Sequence, residues 1–124
     1  MEFIKKKSLN ASEVAQIRRC CSNYVWAVLD IDKNSIVIGD KYLLDMRDAL
    51  IYKFRSRAKD IYGVGIDLRT GEIYYAQVVN RMNKIYREYK SISNRTKERI
   101  ETMVAYYFER FEPFRSKSQH THHA

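Results

Sequence analysis

Residues 61–79 (IYGVGIDLRTGEIYYAQVV) constrain the fold more tightly than any other stretch of the chain. Two β-prone runs flank Asp67-Leu68-Arg69-Thr70-Gly71-Glu72. An Asp at the start of a tight loop accepts backbone amides ahead of it. Gly71 supplies the positive φ that closes the loop, so the segment predicts a β-hairpin. With Asp67 opposite Glu72, Tyr62, Val64 and Ile66 share a face with Gln77, Tyr75 and Ile73. The other face then carries Ile61, Gly63, Gly65 and Asp67 opposite Val78, Ala76, Tyr74 and Glu72. Gly63 and Gly65 weaken a strand unless something approaches closely, and a helix or the ring of Tyr74 is the expected neighbour.

Tyr24–Ile31 and Ser35–Gly39, joined by Asp32-Lys33-Asn34, give a second hairpin signal, with Asn34 suited to a left-handed conformation. Both faces of its first run are apolar, which predicts a central strand covered on both sides. Its register stays open, because Asn34 can also add a bulge. Helices are expected around these strands. Asn10 and Glu13 have capping-box spacing, Leu9 can staple to Val14, and Val14, Ile17 and Cys21 share a face. Leu43, Met46, Leu50 and Phe54 predict a helix over 43–58, with Asp45 as a cap before Met46. Ile100, Met103, Val104, Tyr107, Phe108 and Phe111 follow helical spacing without a miss, up to Pro113. Met1–Ser8 reads as a basic arm or a short edge strand, and Arg81–Lys90 as an additional short helix.

The pattern predicts an α+β domain over residues 1–113. Its expected core is an antiparallel sheet of about four strands, two hairpins packed with helices in the order αββαββα. Residues 114–124 are expected to be a disordered tail. A length of 124 residues suits one domain. The longest apolar runs fall far below membrane-spanning length, so a soluble, cytoplasmic protein is expected, with no membrane partner.

The formal net charge is +8, shared evenly: residues 1–60 hold 12 basic and 8 acidic side chains, and 61–124 hold 11 and 7. That balance favours anionic partners. Arg81, Lys84, Arg87, Lys90, Arg95, Lys97 and Arg99 fall in one stretch opposed only by Glu88 and Glu98. Tyr86 and Tyr89 lie among them, and Lys53, Arg55, Arg57 and Lys59 form a second cluster. Cations tracking phosphates with tyrosines stacking on bases predict non-catalytic, sequence-independent binding of DNA or RNA. The alternative is a homodimeric interaction module, with Tyr24, Trp26 and Val28 on an open strand face and Tyr75, Tyr106 and Tyr107 at an interface.

Catalysis finds less support. If the two hairpins sit side by side, Asp30, Asp32, Asp67 and Glu72 could converge at strand ends and hold a magnesium ion for phosphodiester cleavage. Cys20 and Cys21 are adjacent, unlike spaced zinc ligands, and one is expected buried and one half-buried. No histidine occurs within Met1–Gln119 to activate either thiol, and no Gly-rich phosphate loop is present. No cofactor or metal is therefore expected.

Over Tyr24–Asn80 the frame AVLDIDK, IG, Asp45, Ala49-Leu50, Ser56, Asp60 and Gly63 resembles an uncharacterised family of small bacterial and archaeal proteins. The resemblance implies the αββαββα frame and carries no functional residue. GVGIDLRTGEIYYAQVV is also similar to the first hairpin of ribonuclease-H-like and actin-like domains, and LDIDKN to the Asp-x-Asp strand of haloacid-dehalogenase phosphatases. Both likenesses end within twenty residues: too little chain follows Asp67 for the first, and no small hydroxyl residue follows Asp32 for the second. The Lys, Arg, Ile and Tyr bias resembles the composition of thermophilic archaeal or archaeal-virus proteins.

Overall fold

The computed structural model describes residues 1–21, 23–39, 43–76 and 92–115. The first helix begins as its sequence dictates. Asn10 Oδ1 accepts from the Glu13 amide and Glu13 Oε1 accepts from the Asn10 amide, both at 2.9 Å. Each side chain satisfies an N–H that the first turn leaves unpaired, and α1 (Ala11–Cys21) follows. Val14 and Ile17 are buried, and Cys21 is half-buried. Cys20, about 100° round the helix, is exposed, which corrects the expectation of a buried and a half-buried pair.

The sheet has five strands and not four, because the N-terminal arm is itself a strand. β1 (Glu2–Lys5), β2 (Tyr24–Asp30), β3 (Ser35–Gly39), β4 (Ile61–Asp67) and β5 (Ile73–Ala76) lie in the order β1-β3-β2-β4-β5. All neighbours are antiparallel. The element order is thus ββ-hairpin pairs preceded by an edge strand and α1. Long-range pairing of Phe3 with Ile38 and Ile4 with Val37 is invisible to local pattern. The hairpin of β4 and β5 keeps the expected register: Val64 faces Tyr75 and Ile66 faces Ile73, and Gly71 has φ 80°. Its Asp67 Oδ1 accepts from the amides of Arg69 (2.9 Å) and Thr70 (3.3 Å). In the other hairpin Asp30 pairs with Ser35, and Asn34 takes φ 48°, so the turn closes without a bulge in the pairing.

β2 is central and buried on both faces, as its composition requires. Val25, Ala27 and Leu29 join the larger core with Val64, Ile66, Val14, Ile17 and the apolar stripe of α3 (Asn94–Tyr107). Val28 points the other way and joins Val37, Ile61, Met46 and Leu50 under α2 (Leu43–Phe54). Asp45 lies within the first turn of α2, not before it.

Two helix ends differ from expectation. α2 stops at Phe54, not at 58, because Arg55 turns left-handed (φ 56°) and Arg57 is extended, before a 3-10 turn at Ala58–Asp60. α3 ends at Tyr107, six positions short of Pro113. There Phe108 leaves helical geometry, and Phe108, Phe111 and Phe114 pack with ring centroids 5.8–6.1 Å apart. Phe114, placed in the tail by sequence, is fully buried. The chain ends are fastened by the Leu9 amide donating to the Tyr107 carbonyl at 3.0 Å.

Lys5 Nζ reaches Glu13 at 2.9 Å and ties β1 to α1. Partial burial alone would raise the Glu13 carboxyl. The Asn10 amide and the Lys5 ammonium outweigh it and hold the group below its ordinary value of 4.5. A depressed carboxylate stabilises the fold above its unfolded value, and that contribution is lost as pH falls through the folded one. Glu13→Gln, which keeps the cap and loses the ion pair, should cost about 0.5–1 kcal/mol near pH 7. The gap to wild type should close below about pH 4.5, measured by urea denaturation across pH.

Candidate nucleic-acid interface

α2 packs on β2 and β3 and leaves the rest of its sheet face to other side chains. Along β2, Tyr24 and Trp26 share the face of Val28, and across β4 they meet Asp67 and Gly65. Gly65 is needed there: an added Cβ would sit 2.7 Å from Cζ of the Tyr24 ring. The ring that approaches the glycine is thus Tyr24, not Tyr74. Tyr24 then meets Trp26 edge-on at 5.4 Å (73° between planes) and Tyr74 of β5 at 6.1 Å. Trp26 is 38% exposed and Tyr74 48%, on a face where an isolated domain would normally place polar side chains. Tyr74 donates to Glu72, and that bond, with the charge of the carboxylate, raises the phenol above its ordinary value. Val28, expected on this open face, is instead fully buried by α2.

Lys53, Arg55, Arg57 and Lys59 are all exposed, on the last turn of α2 and the connection after it. The left-handed Arg55 breaks the helix over which these cations were expected to spread. Lys6 joins them from the N-terminal arm: its Nζ lies 4.7 Å from the centroid of the Phe54 ring, and Lys53 Nζ lies 5.9 Å from it. Local sequence gives no sign of this meeting, because it depends on β1 pairing beside β3. Arg81, Lys84, Tyr86, Arg87, Tyr89 and Lys90 lie outside the described residues. Of the basic residues after them, Arg99 donates to the Ile31 carbonyl (3.1 Å) and to the Asn34 side chain, and Lys97 lies over the Tyr75 ring at 5.5 Å. Both are thereby engaged with the fold. Tyr107, an expected interface residue, is buried and donates to the Asn34 carbonyl, while Tyr106 is 39% exposed. Burial first, then the neighbouring Tyr106, pushes the Tyr107 phenol up to about 12 against the opposing charge of Arg99.

The acidic set does not converge as a nuclease would need. Asp30 pairs with Ile61 at one end of β4, and Asp67 pairs with Tyr24 at the other. Six residue steps along β4 separate the two ends, about 20 Å at ~3.3 Å per step. Antiparallel pairing of β2 with β4 forces the two hairpin turns to opposite ends of the sheet, so Asp67 and Glu72 cannot share an ion with Asp30. In their place Asp60 reaches Asp30 and Asp32, with one oxygen from each within 4.8 Å of the others. Asp60 arrives because its carbonyl accepts from the Ile31 amide at 3.0 Å, which continues the pairing of β2 and β4 past Asp30. Arg57 Nε lies 3.3 Å from Asp60 Oδ2, close enough for an ion pair without the alignment of a hydrogen bond.

No family model matches the chain, and no curated protein or solved structure matches it either. Among the described residues no helix is long and apolar enough to cross a membrane.

Gly65→Ala should destabilise the protein by about 1–3 kcal/mol, because the methyl displaces the Tyr24 ring. In a Tyr24→Ala background the same change should cost much less, a coupling readable from a double-mutant cycle in urea.

Proposed function

We propose that this is a small basic nucleic-acid-binding protein without catalytic activity of its own. The observation that carries the reading is the pairing of exposed Trp26 and Tyr74 on one sheet face with exposed cations at the end of the helix covering that same face. Aromatic rings stack on bases of any sequence, and cations follow the phosphates between them. From Trp26 to Asp30, where the basic connection ends, β2 spans about 13 Å. An extended single strand bridges such a span more easily than a stiff duplex reaches into the sheet face. Under this reading Lys6, Lys53, Arg55, Arg57 and Lys59 contact phosphates, with Arg81, Lys84, Arg87 and Lys90 extending the track and Tyr86 and Tyr89 stacking.

A homodimeric interaction module is the second reading, and the same exposed rings favour it, since aromatic residues are enriched at interfaces. Its discriminator is the sedimentation of the free protein: a dimer that buries Trp26 supports assembly, and a monomer supports the nucleic-acid reading.

Trp26 is the chain's sole tryptophan, so its fluorescence reports on this face alone. Single-stranded oligonucleotides should quench it at low salt, with affinity falling linearly in log salt. Tyr74→Ala should weaken binding by about 1–3 kcal/mol. Neutralising Lys53, Arg55, Arg57 and Lys59 together, or Arg81, Lys84, Arg87 and Lys90 together, should flatten the salt slope. Indifference of the unmodified protein to single- and double-stranded DNA and RNA at low salt would sink the proposal.

A further inference from the structure

The end of β2 holds a cluster that the nucleic-acid reading does not use. Asp30 is completely buried. Its Oδ1 accepts from the amides of Asp32 (2.9 Å) and Lys33 (3.0 Å), while its Oδ2 has no hydrogen-bond partner. Asp32 and Asp60 bring carboxylate oxygens to the same place, all within 4.8 Å. A second observation points into the same spot. Ser35 is the cross-strand partner of Asp30, so its side chain leaves the sheet on the same face. It too is completely buried, and its Oγ has no partner. A buried hydroxyl beside a buried carboxylate, each with an unsatisfied oxygen, costs free energy unless something fills the space between them. Three carboxylates at this spacing also repel one another. Arg57, 3.3 Å from Asp60, offsets part of that charge. Water would satisfy the oxygens and leave the charge.

We infer that Asp30, Asp32 and Asp60, with the Ser35 hydroxyl beside them, bind a hard divalent cation, Ca2+ by the number of carboxylates. All the donors are oxygens, which selects Ca2+, Mg2+ or Mn2+ over the softer metals. Ca2+ bonds oxygen at about 2.3–2.6 Å, so donors on opposite sides of it lie about 4.6–5.2 Å apart. The three carboxylates fit that sphere as they stand. Mg2+ usually keeps several waters and takes one or two carboxylates, fewer than the three gathered here. The site is well anchored. Asp30 is fixed by two amides, Asp60 by the Ile31–Asp60 backbone bond, and the intervening turn by Arg99 and Tyr107 of α3. The carboxylates and Ser35 carry this inference whether or not the protein binds nucleic acid.

The test uses the full chain after EDTA treatment and dialysis, titrated with CaCl2, MgCl2 and MnCl2 against KCl of matched ionic strength. Saturating Ca2+ should raise Tm by about 5 °C or more, and calorimetry should give one site per chain. Asp30→Asn should abolish both signals. Asp32 is exposed, so Asp32→Asn threatens the fold less and should weaken Ca2+ binding at least ~10-fold if Asp30→Asn does not fold. Absence of heat and of a Tm shift with all three divalent salts would overturn the inference. So would a Ca2+ response that survives both substitutions.

Discussion

Burial of β2 on both faces is the constraint on which the rest of the structure depends. A strand carrying Val25, Ala27 and Leu29 on one side and Val28 on the other cannot lie at an edge or go without a covering helix on either side. Each such side chain removed from water contributes about 1.5–3 kcal/mol. The sheet must therefore extend both ways from β2, through β3 to β1 and through β4 to β5. It must also carry helices on both faces. The two coverings are unequal. α1, α3 and the turns after α3 fill one face with a continuous core that reaches Phe114. α2 alone covers the other, over a patch centred on Val28, Val37 and Ile61. Its 12 residues span about 18 Å, but a helix is only about 10–12 Å across, a strip of a sheet about 19 Å wide whose longest strands, seven residues each, run about 23 Å. The remainder of that face is where Tyr24, Trp26 and Tyr74 emerge. The exposed aromatics are a consequence of one helix covering a sheet that needs more.

The pairing of β2 with β4 settles where chemistry can gather. Because the strands are antiparallel, each hairpin turn lies beside the entry to the other hairpin and not beside its turn. Asp30 and Asp67 have the same local occupation, since each caps its own turn with one oxygen on two amides. They differ in their surroundings. Asp67 lies at the surface, with Arg69 Nε 3.7 Å from its carboxylate. Asp30 is sealed beneath the connection that carries Asp60 into β4. Local sequence makes the two aspartates equivalent, and topology makes one of them a site.

That contrast explains how much of the protein was legible in its sequence. Features set by neighbours within a few residues were legible: the Asn10–Glu13 box, the Asp67–Gly71 turn, the register of β4 on β5, and the buried stripe of α3. Features set by distant pairing were not. Residues 1–8 read equally as a basic arm or a short edge strand, and the edge that β3 offers decides for the strand. Asp60 looks like any residue before a strand, and only the Ile31–Asp60 bond brings it to Asp30. The end of α2 was misread for a different reason. A left-handed residue at a helix end is usually Gly or Asn, and here it is Arg55, so the sequence carries no stop signal. For the interface, the exposed cations of 53–59 were legible as charge, whereas the contribution of Lys6 and the aromatic face of Trp26 required the sheet.

Net charge overstates how many cations are available to a ligand. Lys5 is engaged by Glu13, Arg99 by the 31–34 turn, and Lys97 lies over Tyr75. Arg57 is shared. It stands 3.3 Å from Asp60, at the margin of the carboxylate cluster, and it also belongs to the exposed basic connection. A cation among the carboxylates would take up the negative charge that now holds Arg57, leaving its guanidinium free for a phosphate. Conversely, an anion drawing Arg57 away would leave the carboxylates more negative and strengthen their hold on a cation. By linkage the two effects must be equal in free energy. The two proposed sites therefore meet at one side chain, and a measured dependence of either affinity on the other ligand would give the strength of that coupling directly.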